Sequence, residues 1–201
     1  MASTPTQPSP KPLTISTKTG DAGTSGLANG ERLEKDSTFF SVVGSLDELN
    51  SWVGVVVAQL KPVVLETKHP KLNTVLLDQL YTIQDTLFYV GAEVALSPKT
   101  ELKKSHLAKL EKAADILQEK MSDNWTTQFL LPGGTKIGAW LDVARTVCRR
   151  VERELVAHQK TAAVRPLLAQ YLNRLSDYLY LLRCYVNQEL SYEEKKFDSQ
   201  K

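Results

Sequence analysis

The spacing of apolar residues from residue 45 to residue 190 is the feature that most restricts the fold of this chain. Apolar side chains recur there at steps of three and four residues, which is the period of an α-helix. The pattern is interrupted at Pro62, at "SP" (97–98) and at "LPGG" (131–134), and strand signals are nearly absent. We therefore predict an all-α bundle of five helices with short connections.

The predicted helices begin and end at residues that commonly cap or stop helices. Ser45 and Glu48 match a capping box, so the first helix is expected to begin at Ser45 and to end near Leu60, before Pro62. The other four predicted helices cover about 70–97, 103–121, 137–158 and 163–190, with Pro70 in the first turn of the second.

Net charge and hydropathy argue against two classes of partner. The chain of 201 residues has a formal net charge of +2, which is too small to indicate a nucleic-acid binder. Its apolar runs are shorter than the roughly 20 residues that span a bilayer. We therefore expect neither nucleic acid nor membrane as a partner.

Both ends of the chain are polar, so we predict three parts. Residues 1–13 form a disordered tail with four prolines, residues 14–190 form the domain, and residues 191–201 form a polar tail that frays. The N-terminal tail lacks the pattern of a targeting peptide. Cys148 and Cys184 have no metal-binding spacing, and their scarcity fits a reducing compartment. These features predict a cytoplasmic protein.

The fourth predicted helix carries the motif "ARTVCRRVERE", in which charged residues share one face. Arg145, Arg149, Glu152 and Arg153 lie three or four residues apart along that face. Such a face is most often a solvated surface with pairs inside the helix. The excess of arginine also suits a polyphosphate, because guanidinium groups bind phosphate oxygens in pairs. These residues alone leave both interpretations open.

A polar patch also interrupts the leucine-rich fifth helix. Asn173, Ser176 and Asp177 lie close together in "YLNRLSDYLY". Asn173 is either a core polar group with satisfied hydrogen bonds or a residue that binds a ligand between helices, where bundles usually place their sites.

The glycine-rich stretch "TKTGDAGTSG" (17–26) precedes the first helix. It does not match a Walker loop, which requires G-x-x-x-x-G-K-[ST]. By itself it resembles a flexible linker. However, Lys18 and Asp21 lie among its glycines, and Lys35 and Asp36 follow it. Exposed backbone amides and hydroxyls in such a loop suit phosphate binding without a Walker fold.

A di-iron site is not expected in this bundle. Glu66 and His69 form one Glu-x-x-His motif, but that chemistry requires two. Neither His106 nor His158 has a glutamate three residues before it. We therefore predict no set of residues dedicated to a metal.

Five segments together resemble the ATP:cob(I)alamin adenosyltransferases, and more narrowly the trimeric, five-helix (PduO-type) form. In chain order they are "TKTGDAGTSGL", "GSLDELNSWVG", "FLLPGGT", "ARTVCRRVERE" and "YLNRLSDYL". The segments follow the order of the family, and the likeness covers roughly residues 14–190. The resemblance implies a five-helix bundle whose N-terminal glycine-rich loop becomes ordered when nucleotide binds.

The resemblance also implies a reaction. The cobalt of cob(I)alamin would attack the 5′-carbon of ATP, giving adenosylcobalamin and releasing triphosphate. The substrates would be cob(I)alamin and ATP, the latter with Mg²⁺. Such a site works by positioning the substrates, neutralising the charge of the triphosphate and excluding water. The motifs fit this, because they carry many phosphate-compatible groups and no histidine or paired-carboxylate centre.

The ATP-binding residues that the resemblance implies lie in three parts of the chain. The N-terminal loop would wrap ATP, Lys35 would bind its phosphates, and Arg149 and Arg153 would bind the triphosphate. Glu152 would support the nucleotide or its magnesium, and Asn173 would hold the nucleotide from the fifth helix. The loop residues are Thr17, Lys18, Thr19, Gly20, Asp21, Gly23, Ser25 and Gly26, and Arg150 completes the ATP-binding set.

Further residues are implied at the catalytic centre. Asp47 and Arg145 resemble a pair that forms a salt bridge between neighbouring subunits, which would place the site at the interface of a homotrimer. Phe129 resembles an aromatic residue that packs where the lower base of cobalamin would coordinate, so that the cobalt becomes four-coordinate and easier to reduce. With Arg149, these residues form the implied catalytic set. A corrinoid reductase and a B12-dependent mutase are the protein partners that such an enzyme would have.

Three positions depart from the usual family pattern. Arg183 stands one place earlier than the family's arginine, and Cys184 occupies the expected position. We expect the fifth helix to lose or re-route a structural ion pair, with neither residue in the site. Asp142 stands where histidine or asparagine is frequent, which leaves its contacts open.

Two other functions have to be weighed against an enzyme. A trimeric bundle that binds ATP or cobalamin only to carry, sense or deliver it would show similar binding motifs. Phe129 distinguishes the two, because a protein that only binds ATP does not need it. A helical scaffold with a charged face is the third interpretation, and it leaves the N-terminal glycines unexplained.

Overall fold

The protein is described by a computed structural model that covers residues 16–27, 29–66, 75–97, 99–121 and 129–198. In these residues it forms two short strands followed by five α-helices. The elements are β1 (Thr24–Gly26), β2 (Arg32–Glu34), α1 (Thr38–Glu66), α2 (Val75–Val94), α3 (Lys104–Lys120), α4 (Lys136–His158) and α5 (Pro166–Glu189). The predicted all-α class and the five helices are confirmed.

The helices pack around α4 and α5. Helix α4 contacts α1 and α5, while α3 packs on α5 and α2 packs on α1. The stripe predicted for the core of α5 is buried throughout, at Leu168, Tyr171, Leu172, Leu175, Leu179 and Leu182. The stripe of α4 is buried as well, at Val147, Cys148, Val151 and Leu155. Because burial of each large apolar side chain stabilises the fold by about 1.5–3 kcal/mol, the helical period determines this packing.

The predicted start of the first helix is wrong. Helix α1 begins at Thr38, so Ser45 and Glu48 lie inside it and do not cap it. Ser45 is buried, and its Oγ accepts a hydrogen bond of 2.9 Å from Arg150 of α4, while Glu48 forms an ion pair with the same arginine. The motif was therefore misread, because its polar side chains bind a neighbouring helix instead of their own backbone.

The predicted end of the first helix is also wrong. Helix α1 continues past Pro62 to Glu66. A proline inside a helix removes one backbone hydrogen bond, and here the helix continues regardless. Pro70, which was predicted to open the second helix, lies outside the described residues. Helix α2 ends at Val94, and Leu96 then takes a left-handed φ of 56°, so the chain turns before "SP" is reached.

A β-hairpin occupies part of the segment in which no strand was predicted. Strand β1 pairs antiparallel with β2, with Ser25 opposite Leu33. Gly23 (φ 86°) and Gly30 (φ 90°) adopt the positive φ that glycine permits, before and between the strands. Each strand has only three residues, which is too short for an alternating pattern to be visible in the sequence.

The C-terminal segment is bonded to the loop before α4. Leu130 and Lys196 form an isolated antiparallel bridge. The amide of Phe197 donates to the carbonyl of Phe129 at 2.7 Å, and the amide of Leu131 donates to the carbonyl of Lys195 at 2.8 Å. The prediction that this tail frays is therefore wrong for residues 195–197.

Across the described ranges, no helix has both the length and the apolar character required to span a bilayer.

Candidate functional site

Helices α4 and α5 bring together four of the predicted nucleotide-binding residues. Arg149, Glu152 and Arg153 of α4 and Asn173 of α5 line, with Val156, an open cavity of about 330 Å³. The residues come from two segments of the sequence. Their common position follows from the packing of α4 on α5, which directs the arginine face along the edge of the contact.

The cavity is positively charged and open to solvent. Arg149 and Arg153 are exposed, and Arg153 donates to the carbonyl of Arg149 at 3.0 Å. Neither guanidinium has a carboxylate within ion-pair distance in the described part of the chain. Glu152 is occupied instead by Asn173, whose Nδ2 donates to Glu152 Oε1 at 3.1 Å. Two arginines without carboxylate partners are suited to an anion with several oxygens.

The side chains of the cavity are ordered by their neighbours. The guanidinium of Arg174 donates to Asn173 Oδ1 at 2.8 Å, so both ends of that amide are bonded. Cys148 lies behind the cavity and donates to the carbonyl of Leu172 at 3.3 Å. Burial raises the pKa of the Cys148 thiol, which makes a thiolate nucleophile unavailable here.

The predicted N-terminal loop is bonded mainly to itself and to β2. The hydroxyl groups of Thr17 and Thr19 are 2.9 Å apart, and Lys18 has a φ of 58°. The guanidinium of Arg32 donates to the carbonyl of Thr19 at 2.6 Å and to that of Thr24 at 3.1 Å. Arg32 was missed in the sequence. The sequence signal for this role is a basic residue close to the glycine-rich segment. Such a side chain can donate hydrogen bonds to the carbonyls of the loop.

Lys35 lies against the N-terminal loop. A Cβ placed on Gly20 would be 2.9 Å from Lys35 Nζ, so the ammonium group lies over that glycine. The amide of Lys35 donates to the carbonyl of Gly23 at 2.8 Å. Asp21, Gly23 and the other loop residues that were predicted to wrap ATP are exposed or half-buried.

The loop and the arginine cavity are not joined by polar bonds within the described part of one chain. No hydrogen bond or ion pair among the described residues joins residues 17–26 to the residues that line the cavity. In these residues, each half of the predicted ATP site is therefore held by its own polar contacts.

Arg150 points away from the cavity toward α1. Its guanidinium donates to Ser45 Oγ at 2.9 Å and pairs with Glu48 and, at 3.8 Å, with Glu154. The bond with Arg150 lowers the pKa of Glu48 and raises that of Arg150. A contact between Arg150 and ATP stays a prediction, and this geometry within one chain does not support it.

Asp47 and Arg145 have different surroundings in the chain. Asp47 is exposed on α1. Arg145 Nε donates to Asp142 Oδ1 at 3.1 Å, and the guanidinium lies 5.9 Å from the centre of the Tyr180 ring. Burial raises the pKa of that tyrosine to about 12. A salt bridge from Asp47 to Arg145 of another subunit stays a prediction.

Phe129 is an unusually exposed aromatic residue. Its side chain is 85% exposed, and it precedes the "LPGG" loop that leads into α4. Thr135 caps α4 by accepting from the amide of Gly138 at 3.1 Å. The aromatic ring therefore stands on the surface at the end of the bundle where the loop enters α4, and it is available to a large apolar ligand.

The three unusual positions in the sequence turn out to be linked. Arg183 is 1% exposed and donates through Nε to Asp142 Oδ2 at 3.1 Å. The partner of Arg183 in this ion pair is therefore the other unusual residue, Asp142. Loss or re-routing of an ion pair relative to the family stays a prediction. Burial raises the pKa of Cys184, which lies next to this pair.

Comparison with known proteins agrees with the predicted resemblance. A family model described as cobalamin adenosyltransferase matches residues 15–186. The chain is 36% identical over 173 residues to a cobalamin adenosyltransferase of Cupriavidus metallidurans, which covers 86% of this chain and 88% of that protein. It is 37% identical over 199 residues to human corrinoid adenosyltransferase MMAB, which covers 95% of this chain and 76% of that protein.

Solved structures support the same assignment. A phenylalanine-to-alanine variant of a PduO-type ATP:corrinoid adenosyltransferase from Lactobacillus reuteri, complexed with cobalamin and ATP, superposes with a TM-score of 0.81 at 29% identity. The match covers 92% of this chain and 100% of that one. An arginine-to-lysine variant from the same organism, complexed with ATP, has a TM-score of 0.78. The chain therefore belongs to the cobalamin adenosyltransferase family.

Proposed function

We propose that this protein transfers the 5′-deoxyadenosyl group of ATP to cob(I)alamin, giving adenosylcobalamin and triphosphate. The observation that carries the proposal is the cavity that holds Arg149 and Arg153, which have no carboxylate partner among the residues that the structure describes, beside the bonded pair of Glu152 and Asn173. Membership of the family supplies the chemistry, and this cavity supplies a surface for the phosphates.

The proposed step needs no acid or base from the protein. A cobalt–carbon bond forms at the 5′-carbon while the carbon–oxygen bond to the triphosphate breaks, and the electron pair leaves with that oxygen. Negative charge therefore moves onto the triphosphate. Arg149 and Arg153 would stabilise this charge, and their position at the ends of one helical turn would hold the leaving group in line.

Lys35 and the N-terminal loop would close over the nucleotide. Lys35 lies over Gly20, so the ammonium group is already placed on the loop that would wrap the nucleotide. Because no hydrogen bond or ion pair among the described residues joins the loop to the arginine cavity, we propose that the site forms between subunits of a homotrimer. The loop of one subunit would then meet the arginines of the next, with Asp47 and Arg145 pairing across the same boundary.

Magnesium would arrive with the phosphates of ATP. In the described ranges, no group of three His, Cys, Asp or Glu side chains could hold a metal ion. Glu152 is the carboxylate that lines the cavity, and oxygen ligands suit Mg²⁺. The residues therefore fit an ion bound chiefly by phosphate oxygens and reached by Glu152.

Phe129 would act on the corrinoid substrate. An aromatic ring that is 85% exposed offers apolar area to the face of cobalamin from which the lower base has to leave. Exclusion of that base would leave the cobalt four-coordinate and easier to reduce. A corrinoid reductase as electron donor, a B12-dependent mutase as acceptor of the product and a cytoplasmic location stay predictions.

The assay that tests the activity mixes the protein with MgATP and chemically reduced cobalamin under anaerobic conditions. We expect the absorbance of cob(I)alamin to disappear and a light-sensitive alkylcobalamin to form. A protein that only carries or senses ATP or cobalamin would bind these ligands and form no product. Absence of product with both ligands bound would therefore favour the carrier function.

A substitution in the cavity tests the role of the arginines. We expect Arg149→Ala to lower kcat/KM by roughly 10- to 150-fold, which corresponds to the loss of about 1.5–3 kcal/mol for a hydrogen bond to a charged group. Lys112→Ala removes an exposed cation from α3 and serves as the matched control. Equal kinetics for Arg149→Ala and the control would contradict the assignment of the triphosphate to this cavity.

A further inference from the structure

We propose that Asp142, Arg183 and Glu194 are positioning residues for Phe129, because they join the C-terminal segment to the loop that carries it. The inference rests on the proposed role of Phe129 in the reaction. It concerns residues outside the motifs that suggested the function, two of which are departures from the usual family pattern.

Phe129 cannot be positioned by the packing of its own side chain. The ring is 85% exposed, so few neighbouring atoms restrict it. Its position depends on the backbone of residues 129–135 instead. The bonds that fix this backbone therefore determine where the aromatic ring meets the substrate.

Arg183 is the centre of those bonds. Its buried guanidinium donates to the carbonyls of Leu131 at 2.9 Å and Gly133 at 3.2 Å. It also donates to Asp142 Oδ2 at 3.1 Å and to Glu194 Oε1 at 2.6 Å. One side chain of α5 thus contacts the loop, α4 and the C-terminal segment together.

Asp142 completes the attachment of the loop to α4. The amide of Gly133 donates to Asp142 Oδ2 at 2.9 Å, the oxygen that also accepts from Arg183. Its other oxygen accepts from Arg145 at 3.1 Å. The aspartate is 6% exposed, and its charge is matched by two arginines.

Asn187 supports the same loop from one turn farther along α5. It is fully buried, and its Oδ1 accepts from the amide of Thr135 at 3.0 Å and from the hydroxyl of Thr135 at 2.7 Å. Its Nδ2 donates to the carbonyl of Gly133 at 3.3 Å and to Glu194 Oε1 at 2.9 Å. Glu194 Oε1 therefore accepts from two buried donors of α5.

Glu194 links this network to Phe129 through three residues of backbone. Lys195 accepts from the amide of Leu131, and the amide of Phe197 donates to the carbonyl of Phe129 itself. Because Arg183 and Asn187 hold Glu194, the backbone of residues 195–197 is positioned to form these two hydrogen bonds with residues 129–131. Loss of the carboxylate would release the C-terminal segment and, with it, one side of the Phe129 backbone.

Burial of these charges is not explained by stability alone. Arg183 and Asp142 are removed from water, and Glu194 partly so, which costs hydration energy, and apolar residues of similar volume would often stabilise a core as well. The network instead fixes one geometry of a loop in which Phe129 and Leu131 are exposed. Positioning is the property that such directional bonds supply.

The test uses Glu194→Ala in the full-length protein, with Glu193→Ala as the matched control. Glu193 is the exposed neighbour of Glu194 on the same segment. Two readouts are recorded with MgATP bound: the fraction of cob(II)alamin that becomes four-coordinate, from its absorbance and electron paramagnetic resonance spectra, and turnover starting from cob(II)alamin or from cob(I)alamin. Thermal unfolding of each variant is measured in parallel.

We expect Glu194→Ala to lower the four-coordinate fraction and the turnover from cob(II)alamin by roughly five- to tenfold. The effect is smaller than that of a lost substrate contact, because the lost bonds from Arg183 and Asn187 act on Phe129 only through the backbone of residues 195–197. Turnover from cob(I)alamin should change by no more than about twofold, because that substrate needs no further reduction. Glu194→Gln keeps the accepting oxygen and should restore most of the signal. In a Phe129→Ala background, Glu194→Ala should have no further effect.

Three results would overturn the proposal. They are an unchanged four-coordinate fraction in Glu194→Ala, equal losses from both cobalamin states, or an undiminished loss in the Phe129→Ala background. The spectra need no turnover. If the wild-type protein forms no adenosylcobalamin from cob(I)alamin, the proposed function fails, while the four-coordinate fraction still decides the positioning role separately.

Discussion

Two loops that contain glycines lie near the proposed site, and their surroundings are opposite. The loop of residues 17–26 is exposed or half-buried and bonds mainly to itself and to Arg32. The loop of residues 131–135 is bonded by Arg183, Asp142 and Asn187, all of which are buried. One loop is therefore held by exposed or half-buried groups, and the other by buried side chains of α4 and α5.

The difference shows that glycine content does not reveal the role of a loop. In the first loop, Gly23 takes the positive φ of a turn, and its amide donates to the carbonyl of Gly20 at 3.3 Å. In the second, Gly134 makes room for Asn187: a Cβ there would lie less than 3.0 Å from three atoms of that side chain. The residues around each loop, more than its composition, separate a binding element from a rigid support.

The largest expected effect comes from a methyl group added to the rigid loop. Gly134 has a φ of 108°, and Gly134→Ala would also displace buried Asn187. We expect the free energy of unfolding, measured with urea, to fall by about 2–4 kcal/mol. Gly91→Ala, in open space on α2, is the control and should stabilise the protein by about 0.5–1 kcal/mol. If Gly134→Ala lowered the free energy of unfolding by less than an ordinary surface substitution does, the loop of residues 131–135 would not be held rigidly.

The second prediction concerns the N-terminal loop of residues 17–26. MgATP at about 100 times its Kd should slow cleavage by trypsin after Lys18 by up to roughly 100-fold, because only the uncovered loop is cleaved. Cleavage of an exposed site elsewhere, at Lys112, is the internal control. Equal cleavage rates at Lys18 with and without MgATP would refute the view that nucleotide orders residues 17–26.

A smaller effect is expected when the first loop receives the same change as the second. Gly20→Ala would bring a Cβ to 2.9 Å from Lys35 Nζ, which is the end of a flexible side chain. We expect the free energy of unfolding to change by less than about 0.5 kcal/mol. The KM for ATP should rise by roughly three- to tenfold, because Lys35 is displaced from the phosphates. A stability loss as large as that of Gly134→Ala would remove the contrast between the loops.

The smallest expected effect is on the alkylation rates of the two cysteines. Cys148 lies on α4, and Cys184 lies next to Arg183. Burial raises the pKa of both Cys148 and Cys184. As pH rises from about 7 to 9, alkylation by iodoacetamide should increase in urea, where thiols have a pKa of about 8.5, and stay negligible in the folded protein. Rapid alkylation of Cys184 in the native state would show that the network of Asp142, Arg183 and Glu194 opens.

Sequence periodicity was sufficient for the helices and for the core. Leu168, Leu175 and Leu182 recur at helical steps, and packing of α5 buries all three. The family resemblance named the four cavity residues on α4 and α5, whereas their spacing alone left a solvated face or a core polar group equally open. Such local signals depend on residues close together in the chain.

Contacts between distant residues were not predictable in the same way. Ser45 looked like a helix cap because its partner Arg150 lies 105 residues away. Arg183 and Asp142, 41 residues apart, looked like two separate departures. The polar C-terminal segment carried no sign that its backbone would pair with Phe129. In each case, the deciding contact depends on tertiary packing.

The pairing of Arg183 with Asp142 has an evolutionary consequence. Removal of one member of a buried ion pair typically costs about 3–5 kcal/mol. Here the remaining charge would keep one partner, Arg145 for Asp142 or Glu194 for Arg183, so the cost lies toward the lower end of that range or below it. Neither residue can therefore be exchanged freely while the other stays. A protein with histidine at position 142 and arginine at position 183 would be less stable than this protein. The same holds for aspartate at position 142 without arginine at position 183, so neither would be a favourable intermediate between this protein and its relatives. We therefore expect positions 142 and 183 to co-vary among relatives, because their ion pair joins α4 to α5.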